Sequence, residues 1–303
     1  VGGLAGDDGT GDGPGMSLPE GAAFVTRFAP SPTGPLHLGH AFSAGFAFEM
    51  AKERGGRFLL RLEDLDRERS KPAYEALIAE DLSWLGLSWP EPVMRQSERG
   101  AAYRDALQQL WDAGLLYPCT CRRKDIRAAA RAPQEGGDPL IGPDGIVYPG
   151  TCRGAPRTGP VPWHEALRLD MRLAMERAGT VSFEEHGEAP GHRIATCRQM
   201  TEEVGDVVLS RRGWDASYHL AVVVDDAAQG VSAVVRGQDL AEATPIHVLL
   251  QILLGLPRPA YLHHRLIRDE SGKRLAKRDD ARAISAYREA GMSAGEMRAL
   301  IGL

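Results

Sequence analysis

Between residues 24 and 62 the sequence passes from a β-rich run through a proline-locked loop into helix-forming residues and back to a β-rich run, and this order constrains the fold most. Phe24-Val25-Thr26-Arg27-Phe28 has strand composition and enters Ala29-Pro30-Ser31-Pro32-Thr33-Gly34-Pro35, where the prolines and the glycine forbid regular structure. Residues 37–54 are rich in Ala, Phe, Glu and Met, good helix formers, and end at Gly55-Gly56. Arg57-Phe58-Leu59-Leu60-Arg61-Leu62 then reads as a second strand. Strand, loop, helix, strand opens an α/β domain of Rossmann type, built on a parallel sheet.

Apolar positions at helical spacing over 72–86 and 98–113 predict helices packed on that sheet. From Tyr117 to about residue 190 the character changes: paired cysteines, a Pro/Gly-rich stretch over 132–160 and few apolar runs predict an inserted subdomain. The β-branched runs 218–224 and 232–235, bounded by Asp225-Asp226 and Arg236-Gly237, are expected to return to the sheet as strands. A further helix is expected over 244–254, before a basic tail. The expected division is a flexible leader (1–21), a first catalytic half (22–116), an inserted subdomain (117–196), a second catalytic half (197–260), and a basic loop with a short C-terminal helical segment (261–303).

The leader lacks the basic-then-apolar pattern of a secretory signal, and no apolar run approaches the roughly 20 residues that span a bilayer. A net charge of −5 means that a polyanionic partner must be held by a local basic patch. Cysteines in a chain without a signal fit a reducing cytoplasm, where clustered thiols more often bind metal than form disulfides. The expectation is a cytoplasmic monomer without membrane attachment.

Pro35-Leu36-His37-Leu38-Gly39-His40 sits where the first strand hands over to the first helix, the place where an open α/β sheet binds ligands and a helix N-terminus attracts phosphate. His37 and His40 can donate hydrogen bonds to ATP phosphate oxygens, and Gly39 permits close approach of the nucleotide. An isolated H-x-x-H is more often a metal pair or a solvated helix face. Far downstream, Gly272 is followed by Lys273, Arg274, Lys277 and Arg278, a cationic run able to neutralise pyrophosphate, or simply a solvated surface.

Arg27-Phe28-Ala29-Pro30-Ser31-Pro32-Thr33-Gly34 with His37-Leu38-Gly39-His40 resembles the glutamyl form of the HIGH signature of class I aminoacyl-tRNA synthetases. Arg274-Leu275-Ala276-Lys277-Arg278 stands in the place of the KMSKS signature, and the resemblance covers nearly all of 24–281. Arginine replaces the first lysine of that signature and Ala276 its serine, so altered loop dynamics are expected rather than loss of activity. The resemblance implies activation of L-glutamate with ATP and Mg2+, with His37, His40 and Lys277 catalytic and His37, Gly39, His40, Arg274 and Lys277 on ATP. It also implies that Arg27, Ser31, Glu63, Tyr218 and Arg236 line the amino-acid pocket. An arginine that pairs with a carboxylate through two N–H groups suits glutamate over glutamine. Val222 stands where glutamyl enzymes usually carry asparagine, which points away from the housekeeping enzyme.

Cys119-Thr120-Cys121 and, later, Tyr148-Pro149-Gly150-Thr151-Cys152 offer three thiolates and a phenol, a set suited to one structural Zn2+. Unlinked buried cysteines are the alternative, and Cys197, outside the cluster, reads as core. The Tyr-x-x-x-Cys end resembles the truncated paralogues of glutamyl-tRNA synthetase that act on queuosine in tRNA(Asp). About 25 residues follow Arg278, so no anticodon-binding domain is expected, and queuosine-containing tRNA(Asp) becomes the expected acceptor. The alternatives are a catalytic fragment charging tRNA(Glu) and a zinc-bearing RNA-binding module without catalysis.

Overall fold

The computed structural model describes residues 23–131, 138–267 and 282–303; the expected leader, Arg274 and Lys277 lie outside the described residues. β1 (Val25–Phe28) leads through the proline loop into α1 (Leu38–Glu53), and the chain returns as β2 (Arg57–Leu62), parallel to β1. Both glycines at the end of α1 have a reason. Gly55 sits at φ 59°, where a side chain would be strained, and a Cβ on Gly56 would lie 2.1 Å from the Phe24 carbonyl oxygen. After α2 (Pro72–Trp84), β3 (Met94–Arg95) extends the parallel sheet on β2, and α3 (Gly100–Asp112) buries Tyr103, Leu107, Leu110 and Trp111 at helical spacing.

The stretch that follows is built from smaller pieces. It contains β4 (Leu116–Cys119), α4 (Arg123–Arg131), the hairpin of β5 (Ile141–Gly142) and β6 (Gly145–Ile146), β7 (Ala166–Leu169), α5 (Met171–Ala178), β8 (Val181–Glu185) and β9 (Gly191–Ala195). After α6 (Cys197–Gln199), β10 (Val208–Ser210) joins β7 and β4 in an antiparallel sheet with β7 central.

Residues 218–224 form no strand; they belong to α7 (Tyr218–Ala228). Val222, Val223 and Val224 prefer strands by propensity, but tertiary context overrides it. The segment packs against α3, α8 (Thr244–Leu254) and β10, and a helix enclosed on several sides satisfies its own backbone there. The second run does become a strand, β11 (Ala233–Gly237). It pairs in parallel with β12 (Ala260–His264), which in turn pairs in parallel with β8. The chain ends in α9 (Ile284–Glu289) and α10 (Ala294–Ile301).

β1 lies beside β11, bridged by Ser232, whose N–H donates to the Val25 carbonyl (3.0 Å) and whose hydroxyl accepts from the Val25 N–H (2.8 Å). Side chains alternate across these parallel strands. Val25, Leu59, Val234 and Tyr261 share one core with α3, α7 and α8. Phe24, Phe28, Phe58, Leu60, Ala233, Val235 and Leu262 share another with α1, α2 and the C-terminal helices. Helices therefore cover both faces, as a parallel sheet requires. Ligands have access at the strand ends.

Candidate active site

The carboxyl ends of β1, β11 and β12, with Glu63 just past β2, open on a cavity of about 650 Å³. Arg27, Ser31, His37, Gly39, His40, Glu63, Tyr218 and Arg236 all line it. These are all the expected amino-acid and nucleotide residues that fall within the described chain. Crevices at the carboxyl ends of parallel strands are where open α/β sheets bind ligands.

On the helix side, His37 caps α1: its Nδ1 accepts from the Gly39 N–H (3.1 Å), while His40 Nδ1 accepts from the His37 N–H (3.2 Å). The rings stack with centroids 3.8 Å apart. Because both Nδ1 atoms accept, each neutral ring carries its proton on Nε2, so each is a hydrogen-bond donor through that nitrogen. The motif residues are thus fixed at the positive end of a 16-residue helix. Leu266 and Ile267 line the cavity before the undescribed stretch, and after it Ala283 bridges to His37 while the Ile284 N–H donates to the Leu36 carbonyl (2.9 Å). Both flanks of the KMSKS-like segment therefore adjoin the histidine motif.

The floor is a buried ion network. Asp226 of α7 accepts from Arg27 Nε (3.0 Å) and Nη2 (3.3 Å) and from Arg61 Nη1 (2.6 Å), and Arg61 Nη2 reaches Glu63 (3.3 Å). Burial pushes the Asp226 carboxyl up, but the Arg27 and Arg61 charges outweigh it and hold the group below the usual carboxylate range. For Glu63 burial wins over Arg61 and Arg27, and its carboxyl is raised, so an added cation would favour its ionised form. Burial likewise raises the Tyr218 phenol, which stays neutral. Arg27, Arg61 and Arg236 thus face Asp226 and Glu63 across one buried group.

Arg236 is tightly held. Nε donates to His263 Nε2 (3.0 Å), Nη1 to His247 Nδ1 (3.1 Å), and Nη2 to Thr244 Oγ1 (2.8 Å) and the Leu240 carbonyl (3.2 Å). Among the described residues, one of its five N–H groups is left, on Nη1. Two-pronged pairing with a further carboxylate, expected of either arginine, is thus closed to Arg236, whereas Arg27 has the N–H groups for it. That residue also donates Nη1 to the Val235 carbonyl (3.4 Å) and keeps an N–H on each Nη.

The cysteine cluster forms a separate site. The Sγ atoms of Cys119, Cys121 and Cys152 lie within 4.8 Å of one another, with Cys121 and Cys152 3.4 Å apart. The Tyr148 hydroxyl is 3.5 Å from Cys119 Sγ and 3.4 Å from Cys121 Sγ. A tetrahedral zinc site with bonds of about 2.3 Å has sulfur–sulfur edges of about 3.8 Å, so this donor set fits one ion after small adjustments. Arg168 lies over the Tyr148 ring at 3.8 Å and donates to Cys119 Sγ (3.3 Å), a cation beside the thiolates. Burial raises the Cys152 thiol, but hydrogen bonds from Tyr148 and the Thr120 backbone outweigh it and bring it down to about 6. Burial pushes the Cys121 thiol up to about 11, with Cys152 and Cys119 adding to the rise. Cys197 is exposed, contrary to the core expectation, because it opens α6 at a surface capping box of Thr196 and Gln199.

Residues 23–140 and 172–303 match the family described as tRNA synthetases class I (E and Q), catalytic domain. A glutamyl-Q tRNA(Asp) synthetase of Rhodobacter capsulatus is 60% identical over 284 residues, 92% of this chain and 100% of that protein. The chain belongs to the class I synthetase family for glutamate and glutamine. Another relative, the glutamyl-Q tRNA(Asp) synthetase of Geobacter sulfurreducens, is 42% identical over 88% of this chain and 79% of its own length. Among solved structures, a glutamate tRNA ligase from Elizabethkingia meningosepticum in complex with its amino acid superposes with a TM-score of 0.67 at 28% identity, covering 84% of this chain and 52% of that one.

For this synthetase, sequence reasoning missed Asp226 and Arg61. Asp226 served only as a boundary mark after an apolar run; its burial, which calls for cationic partners, shows only in the structure. Val222 lies in the core behind the cavity and does not line it. No helix among the described residues is long and apolar enough to cross a membrane.

Proposed function

We propose that the chain activates L-glutamate with ATP, without RNA, and transfers the glutamyl group to queuosine in tRNA(Asp). The observation that carries the activation step is the single cavity in which the capped histidine pair and the Arg27, Glu63, Tyr218 and Arg236 cluster meet. Glutamate brings two carboxylates and one ammonium, groups with which these cations and Glu63 can pair. Arg27 and the remaining N–H of Arg236 would hold the side-chain carboxylate, and Glu63 would take the ammonium. The α-carboxylate then attacks the α-phosphorus of ATP, an oxygen–phosphorus bond forms as pyrophosphate leaves, and Nε2–H donors of His37 and His40 stabilise the charge that develops. Mg2+ accompanies ATP and screens its phosphates. Lys277 and Arg274 are taken as the cations that meet the leaving pyrophosphate.

The acceptor reading is supported by the full-length match to the Rhodobacter protein, whose name gives tRNA(Asp). Zn2+ would be held by Cys119, Cys121, Tyr148 and Cys152, joining the strand β4 to the turn at 148–152 as a structural element. A tRNA substrate and unlinked cysteines suit the cytoplasm. The test uses labelled glutamate with queuosine-containing tRNA(Asp) from which the 3′-terminal adenosine has been removed enzymatically, leaving the queuosine base intact. Transfer to that RNA is expected. Labelling only of tRNA(Glu) with an intact 3′ end would instead make the chain a conventional charging enzyme.

A further inference from the structure

Behind Arg236, six elements contribute to one run of polar contacts, buried except at its Asp144 end, that the adenylation chemistry does not itself require. On one side, His247 Nε2 is 3.1 Å from His219 Nδ1, and His219 Nε2 is 3.4 Å from Asp144 in the β5–β6 turn. On the other, His263 Nδ1 is 2.5 Å from Glu185 at the end of β8. The side chains of His219, His247 and His263 are all nearly inaccessible to solvent.

Arg236 determines the proton positions along the whole chain. A guanidinium only donates, so the ring nitrogens it faces, His263 Nε2 and His247 Nδ1, must be unprotonated acceptors. His263 therefore carries its proton on Nδ1 and gives it to Glu185. His247 carries its proton on Nε2, which obliges His219 Nδ1 to accept and His219 Nε2 to donate to Asp144. All three imidazoles are neutral, each in one tautomer. Burial lowers His247 well below its ordinary range, with the Arg236 charge adding to the effect, and burial lowers His263 against its bond to Glu185. The same rings frame the pocket wall, since Tyr218 packs edge-on against His219 (5.4 Å) and His247 (5.6 Å).

We propose that Asp144, His219, His247, His263 and Glu185 are positioning residues that lock the guanidinium of Arg236 so that its one remaining N–H, on Nη1, meets the glutamate carboxylate. This rests on the reading of Arg236 as a glutamate contact. The carboxylates at the two ends accept the outward-pointing protons that Arg236 leaves on His219 and His263. Without the Asp144 acceptor, His219 has no partner for Nε2–H. The contact of His219 with His247 (3.1 Å) then loses its outer anchor, and the seat that His247 gives to Arg236 Nη1 is loosened. A substitution at the surface turn thus reaches the substrate through two histidines.

Three variants of the full chain separate the outcomes: Asp144→Leu, Asp144→Asn and Arg236→Gln, assayed by glutamate-dependent pyrophosphate exchange. Asp144→Leu is expected to raise the KM for glutamate about tenfold while the KM for ATP stays unchanged. Asp144→Asn keeps an acceptor oxygen and recovers most of that loss. Arg236→Gln raises the same KM further. Independently of activity, nitrogen-15 NMR of the histidine rings should find His219 and His247 protonated on Nε2 and His263 on Nδ1. A normal glutamate KM in Asp144→Leu together with a raised one in Arg236→Gln overturns the positioning role, as does an imidazolium or the opposite tautomer at His247. A normal glutamate KM in Arg236→Gln instead removes the underlying assignment of Arg236.

Discussion

The cavity floor and the cysteine cluster solve the same problem, holding charged groups in place, by opposite means. At the floor, Arg27, Arg61 and Asp226 come from β1, β2 and α7, are separated by as many as 199 residues, and are pressed together between two large apolar cores. The cysteine site draws on residues within 34 positions and has only Tyr117, Cys119 and Tyr148 as a fully buried centre. Geometry at the floor is thus imposed by the fold. At the cysteines, too little apolar surface is buried to fix four donors, and a bound ion would supply the rigidity.

The largest expected effect breaks the floor. Asp226→Asn leaves two buried guanidinium groups without their shared counter-charge and should cost about 3–5 kcal/mol in unfolding free energy, with loss of exchange activity. Denaturant unfolding measures it, and a change below about 1 kcal/mol would show that the floor is not held by this network. Next comes metal removal. A chelator should strip hydrogen-exchange protection from 117–121 and 148–152 and leave the strands β1, β2 and β11 protected. Equal loss in both regions would erase the distinction drawn between them. The smallest effect is chemical. In metal-stripped protein, Cys152, brought down to about 6, is a thiolate at neutral pH, and its alkylation should slow only as pH falls through about 6. Cys121, pushed up to about 11, should react appreciably only in alkali. Equal alkylation of both at pH 7 would contradict the asymmetry.

The same contrast governs what could be read from the sequence. The cysteine site was legible because Cys119, Cys121, Tyr148 and Cys152 sit close in the chain, all four in two short motifs. The opening of the fold was legible for a similar reason, since the Pro30-to-Pro35 loop and Gly55-Gly56 are local punctuation. The histidine pair became readable through the family resemblance. Asp226 was not, because its two arginine partners stand 199 and 165 residues away and nothing local distinguishes a buried counter-ion from a strand boundary. Residues 218–224 misled because valine favours strands only where packing does not decide otherwise. Arg236 was legible as a cation, but the use of four of its N–H groups by neighbours was not.

Exchange of labelled pyrophosphate into ATP, driven by glutamate with no RNA present, tests the central reading most directly. The cavity geometry predicts exchange with L-glutamate that is absent with L-glutamine. Exchange that appears only after tRNA is added, or that glutamine supports equally, would contradict it.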